Sequence, residues 1–168
     1  MPKFSNTLAT VLLIAVLVLA ACSSEPTPPT PPAPPASSSP SPAVADTHGH
    51  VAPHGGVLIE LGDHLGFLEM VLDAKAGTLT AYVLDGGAEQ AVRIVQPTVS
   101  VVFETPTALA GQTLAMGGKA NVLTGETVGD TSQFELTHAA LQGQTSLAAR
   151  VVELRVKGQT FHGIAVTL

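Results

Sequence analysis

From about Gly55 onward the chain sets apolar residues on alternate positions, and the pattern recurs segment after segment. Leu68, Met70 and Leu72 alternate with Glu69, Val71 and Asp73. Val99, Val101 and Phe103 alternate with Ser100, Val102 and Glu104. Ser132, Phe134 and Leu136 alternate with Gln133, Glu135 and Thr137, and Val152, Leu154 and Val156 with Glu153, Arg155 and Lys157. Successive side chains of a strand point to opposite faces, so a two-residue period is what a sheet with one buried face requires. Turn formers interrupt the runs at Ala76-Gly77, Asp85-Gly86-Gly87, Pro97, Pro106 and Gly158. No long apolar stripe of helical period is present. Residues 53–168 are therefore expected to form a single all-β domain, an antiparallel β-sandwich or a barrel-like sheet. Within it, Val57 to Leu61 and Leu65 to Asp73 are candidates to pair as a hairpin around Gly62-Asp63. Val92 to Val95 reads as a short run stopped by Pro97, Thr107 to Met116 as strand or loop, and His138 to Leu141 as one helical turn.

The N-terminus is of another kind. Lys3 supplies a positive charge, and Leu8 to Leu19 is apolar except for Thr10. That run suits a signal-peptide core and falls short of the roughly 20 apolar residues of a membrane-spanning helix. It ends in Leu19-Ala20-Ala21-Cys22, which resembles the bacterial lipobox. The resemblance implies cleavage before Cys22, acylation of its thiol and lipid anchoring to a bilayer, with residues 1–21 removed as the leader. Ser23 after the cysteine leans towards the periplasmic face of the outer membrane within that family. Cys22 is the only cysteine, so there is no internal disulfide, cysteine metal cluster or cysteine nucleophile in the mature domain.

Residues 22–52 join the anchor to the domain. Nine of the thirteen prolines lie between Pro26 and Pro42, among Thr, Ser and Ala. Such a composition buries too little apolar surface to fold and favours extended polyproline II, which makes a disordered spacer of the segment.

The spacer ends in Asp46-Thr47-His48-Gly49-His50-Val51-Ala52-Pro53-His54-Gly55-Gly56, where three of the six histidines fall within seven residues. Neutral imidazole is a good ligand for Cu(II), Zn(II) and Ni(II). In extended chain His48 and His50 project from the same side, Gly49 lets the backbone fold, and His54 follows within reach. His64 approaches if the 57–73 hairpin forms. The candidate metal ligands are thus His48, His50, His54 and His64. A solvated tail carrying histidines without function is the competing reading. His138 and His162 are isolated and read as surface residues. Met70 falls on an apolar strand face and reads as core. Met116, before Gly117-Gly118, reads as an exposed soft ligand. Glu69, Asp73 and Asp85 read as solvated faces and turn caps, or as carboxylates for a hard cation.

Pro53-His54-Gly55-Gly56, Gly62-Asp63-His64, the strand Leu68 to Asp73 and the strand Thr78 to Asp85 together resemble a small PHGG-type periplasmic β module. Similar modules occur in uncharacterised bacterial lipoproteins and in periplasmic adaptors of heavy-metal efflux pumps. The resemblance covers Pro53 to Asp85 and implies a metal-related role in the envelope, with an envelope protein or efflux component as partner.

The formal net charge is −6, and Lys3 leaves with the leader. An acidic chain of this kind is a poor partner for nucleic acid. No nucleophile elbow, phosphate loop, dinucleotide fingerprint or HExxH is present, so no enzyme is expected. Two classes of function remain: a metal-binding envelope lipoprotein, and a structural or protein-interaction β module without metal.

Overall fold

The computed structural model describes residues 49–168. The leader, Cys22, the proline-rich segment and His48 lie outside the described residues. Eight antiparallel strands follow in chain order: β1 Val57–Leu61, β2 Gly66–Asp73, β3 Thr78–Leu84, β4 Thr98–Thr105, β5 Thr113–Gly118, β6 Gln133–Thr137, β7 Ala148–Val156 and β8 Gln159–Thr167. They make one sheet in the order β1-β2-β3-β6-β5-β4-β7-β8. Its outer strands, β1 and β8, approach each other without a hydrogen-bonded ladder. The result is a nearly closed barrel, which decides between the sandwich and the barrel that alternation alone leaves open.

Alternation does the folding work. Leu68 and Met70 of β2, Leu79, Ala81 and Val83 of β3, Val101 and Phe103 of β4 and Phe134 of β6 turn inward and are fully buried. Cross-strand pairs such as Leu79–Leu136 and Val101–Val151 stack these residues into one core. Burying each such aliphatic or aromatic side chain contributes about 1.5–3 kcal/mol before chain entropy is subtracted.

Four details differ from the expectations. Met116 is completely buried, because β5 pairs it with Val99 of β4 on the inward face. Val152 is exposed, and Val151 takes the inward place beside Leu154 and Val156. The pleat changes parity between the Val151–Ile164 and Glu153–His162 pairs, where Gly163 of β8 takes φ +62°. Val92 to Val95 forms no strand; Ile94 makes an isolated bridge to Thr131. Glu69 has no solvent exposure, for a reason given below. The residues between Thr107 and Met116 divide into a 3-10 turn, Thr107–Leu109, and β5, and Ala139–Leu141 is a second such turn.

The strand directions gather four connections at one end of the barrel, here the upper end: residues 62–65, 85–97, 119–132 and 157–158. Lys157 Nζ donates to the Leu65 carbonyl at 2.8 Å across this end. Val57, where β1 begins, pairs with Met70 and lies towards the lower end.

Candidate functional site

The outer face of β1, β2 and β3 is not left to solvent. Leu58, Phe67, Leu84 and Ala88 form a second, smaller apolar cluster there, with Ala52 and Tyr82 packed against it. Residues 50–56 cross this face as a strap, running from the upper end, where His50 meets Gly87, to the start of β1.

Glu69 clasps the strap. It sits on β2 beside Tyr82 of β3 and faces outward. Its Oε1 accepts the backbone N–H of His54 at 2.8 Å and that of Gly56 at 2.9 Å. Its Oε2 lies 2.7 Å from His54 Nδ1. An ionised carboxylate only accepts, so Nδ1 donates. A buried carboxylate is tolerable when its lone pairs are filled in this way. The His54 ring lies flat on Tyr82, with centroids 3.6 Å apart and planes 3° from parallel. Gly56 is required here, since a Cβ would stand 2.3 Å from the Met70 carbonyl oxygen. Burial, then the charges of Glu69 and Glu135, push the Tyr82 hydroxyl above its ordinary pKa.

At the upper end of the same face lies a group with ligand chemistry. Among the described residues, Glu60, Asp63 and His64 bring one ligand atom each to within 4.8 Å of one another. The local fold explains this. Glu60 is the last residue but one of β1, the chain turns at Gly62 with φ +67°, and His64 itself takes φ +51°. Glu60 Oε1 accepts the His64 backbone N–H at 2.9 Å and lies 3.5 Å from His64 Nδ1. Gly86 supports the turn from the next loop; a Cβ there would stand 2.2 Å from the His64 carbonyl oxygen. The strap delivers His50 to this corner. The His50 ring is 6.1 Å from that of His64, and both flank Phe67, at 5.0 and 6.5 Å. His50 Nδ1 meets the Gly87 carbonyl at 3.1 Å. A carbonyl only accepts, so this nitrogen carries the hydrogen.

Of the four histidines proposed from the sequence, the structure brings His50 and His64 together. It places His54 on Tyr82 and Glu69 instead, and His48 lies outside the described residues. Glu60 and Asp63 join the corner without having been singled out as ligands. Their signal in the sequence was the i, i+4 spacing of Glu60 and His64 across a Gly-Asp turn. His138 Nδ1 accepts the Ala140 N–H and so caps a 3-10 turn. His162 is exposed, 3.8 Å from Glu153.

The ligand atoms that lie within 4.8 Å of one another are those of one imidazole and two carboxylates, His64, Glu60 and Asp63; the His50 ring stands beside this group, 6.1 Å from that of His64. Such nitrogen and oxygen ligands suit a borderline divalent ion, Cu(II), Zn(II) or Ni(II). No protein-family model matches this chain, and no curated protein and no solved structure matches it.

Proposed function

We propose that the protein is a lipid-anchored component of the bacterial cell envelope whose barrel binds a divalent transition ion, Cu(II), Zn(II) or Ni(II), in metal handling or efflux. The observation that carries the metal reading is the upper corner. Glu60, Asp63 and His64 offer ligand atoms within 4.8 Å of one another, and His50 is held beside them by the strap. His64, Glu60 and Asp63 supply the first ligands. His50 closes the site; His48, one glycine away from it in sequence, lies outside the described residues and is the further ligand that the histidine spacing proposes. His54 positions His50 by pinning the strap. The anchor reading rests on Leu19-Ala20-Ala21-Cys22 behind an apolar core, and places the chain on a bilayer, with the periplasmic face of the outer membrane favoured by Ser23.

Isothermal titration of the mature chain with Cu(II), Zn(II) and Ni(II) tests the metal reading. The wild type binds at micromolar or tighter concentration. His64→Ala and the pair Glu60→Gln with Asp63→Asn each weaken binding by roughly tenfold or more, the order of one lost charge-assisted contact. A flat titration, or one unchanged by these substitutions, overturns the site and leaves a protein-interaction module of the envelope.

A further inference from the structure

Six large apolar side chains stand exposed among the described residues: Val51, Val95, Val122, Leu123, Val128 and Val152. Val95, Val122, Leu123 and Val128 lie on the two upper loops joined by the Ile94–Thr131 bridge, and Val51 follows His50 where the strap begins. Val152 alone sits on the barrel wall, in β7.

The loop that lifts Val122 and Leu123 into solvent, at 92 and 94% exposure, is braced. Asn121 and Glu126 exchange both backbone hydrogen bonds, at 3.0 and 2.9 Å. Asn121 Oδ1 accepts the Leu123 N–H at 3.0 Å. Glu126 is buried beneath. Its Oε2 accepts the Thr124 hydroxyl at 2.7 Å, and its Oε1 accepts the N–H and hydroxyl of Ser132 at 2.8 and 2.5 Å. Arg93 donates to the Gly125 carbonyl at 3.2 Å from the neighbouring loop. A buried carboxylate thus supports a turn whose apex is two bare aliphatic groups. Four exposed apolar side chains on two loops at one end, with the adjacent pair Val122 and Leu123 on a fixed support, point to an apolar surface as the partner.

The direction of the chain says which surface. The strap starts at the upper end, where His50 meets Gly87, so the described chain begins at the same end as the apolar tips. We infer that Val95, Val122, Leu123 and Val128 dip into the bilayer that holds the Cys22 acyl chains and seat the barrel with its upper end on the membrane. This rests on the lipid-anchor reading and not on the metal site. The cations of these two loops are paired within the domain, Arg93 with Asp130 at 3.6 Å and Lys119 with Glu135 at 3.3 Å. The contact is therefore apolar and indifferent to salt. Tethering keeps the tip at high local concentration, so shallow insertion suffices.

The chain contains no tryptophan, so one introduced residue reports alone. Leu123→Trp and Val152→Trp, both at exposed positions, are made in the full chain. The acylated protein is placed in phosphatidylcholine vesicles with brominated acyl chains, and acylation of Cys22 is read by mass spectrometry on the same sample. Leu123→Trp emission shifts to the blue and is quenched equally at low and high salt, while Val152→Trp keeps its aqueous emission. Replacing Val122 and Val128 by Ser in the Leu123→Trp chain lowers the quenching. Acylated protein with Leu123→Trp unquenched, or with Val152→Trp quenched as strongly, overturns the proposal and leaves the anchor standing. A chain found without lipid removes the anchor reading. The tip is then read by titrating Leu123→Trp with free vesicles of the same composition: quenching supports it and none overturns it.

Discussion

His54 Nδ1 sits 2.7 Å from Oε2 of Glu69, a carboxylate with no exposed surface. The histidine therefore covers an acid that the strand alternation alone would leave to water. Glu69→Ala removes the acceptor of two backbone N–H groups and the partner of the imidazole at once. It is expected to cost about 2 kcal/mol, the order of a hydrogen bond to a charged group. It also frees residues 50–56 for proteolysis. Urea unfolding and limited digestion check both, and a variant as stable and as protected as the wild type contradicts the clasp.

Gly56→Ala tests the same clasp from the backbone. Its Cβ would stand 2.3 Å from the Met70 carbonyl oxygen, so the strap must lift or β2 must shift. A loss of about 1–3 kcal/mol is expected. Gly117→Ala, whose Cβ would meet nothing closer than 4.0 Å, should change stability little. Equal effects at both positions would show that the close approach does not matter.

Tyr82 is the only tyrosine, so tyrosinate absorbance reads it without ambiguity. Burial first, then Glu69 and Glu135, hold its ionisation above the ordinary value. In the alkaline range the unfolded chain loses this proton before the folded one does. The tyrosine's contribution to stability is therefore intact below the ordinary tyrosine pKa and declines as pH rises through it. Glu69→Gln should move the titration down. A titration at the ordinary value in the wild type would refute the assignment.

Glu126 works in the opposite sense. Burial pushes its pKa up, but the hydrogen bonds from the Ser132 hydroxyl, the Thr124 hydroxyl and the Ser132 N–H outweigh it and leave it lowered. Stability from this group is present above the ordinary glutamate pKa and is lost as pH falls through the lowered folded value. Ser132→Ala removes one donor, so its stability should depend less steeply on pH in mild acid than that of the wild type. Denaturant midpoints across that range provide the comparison.

If metal occupies the upper corner, Cu(II) should bind more tightly than Zn(II) or Ni(II), following the order of divalent affinities for nitrogen and oxygen ligands. His54→Ala should weaken binding less than His64→Ala, since His54 holds the strap and His64 belongs to the ligand group. Competition between the ions in titration calorimetry gives the order, and a larger loss at His54 would reverse these roles.

The strands that alternate cleanly were readable from the residues: Val99 to Phe103 and Gln133 to Leu136 lie in strands with their inward faces as expected. Where Gly163 breaks the pleat, the pattern misassigned Val152, because a local backbone angle carries no hydrophobic period. Glu69 and His54 were harder for a different reason. The burial of one and the orientation of the other come from a segment folding back over a sheet face, a contact between residues fifteen apart in sequence. The histidine density singled out the stretch of chain that forms the strap, but only the strap's path separates His50, delivered to His64, from His54, spent on Glu69.

The strap also decides how the domain responds to force. It leaves the barrel at the upper end and reaches β1 only after crossing the sheet face. A pull applied at Gly49 would therefore load the contact of His50 with Gly87 first, then the Glu69 clasp, and only afterwards the β1–β2 ladder. The strap stands between such a pull and the barrel.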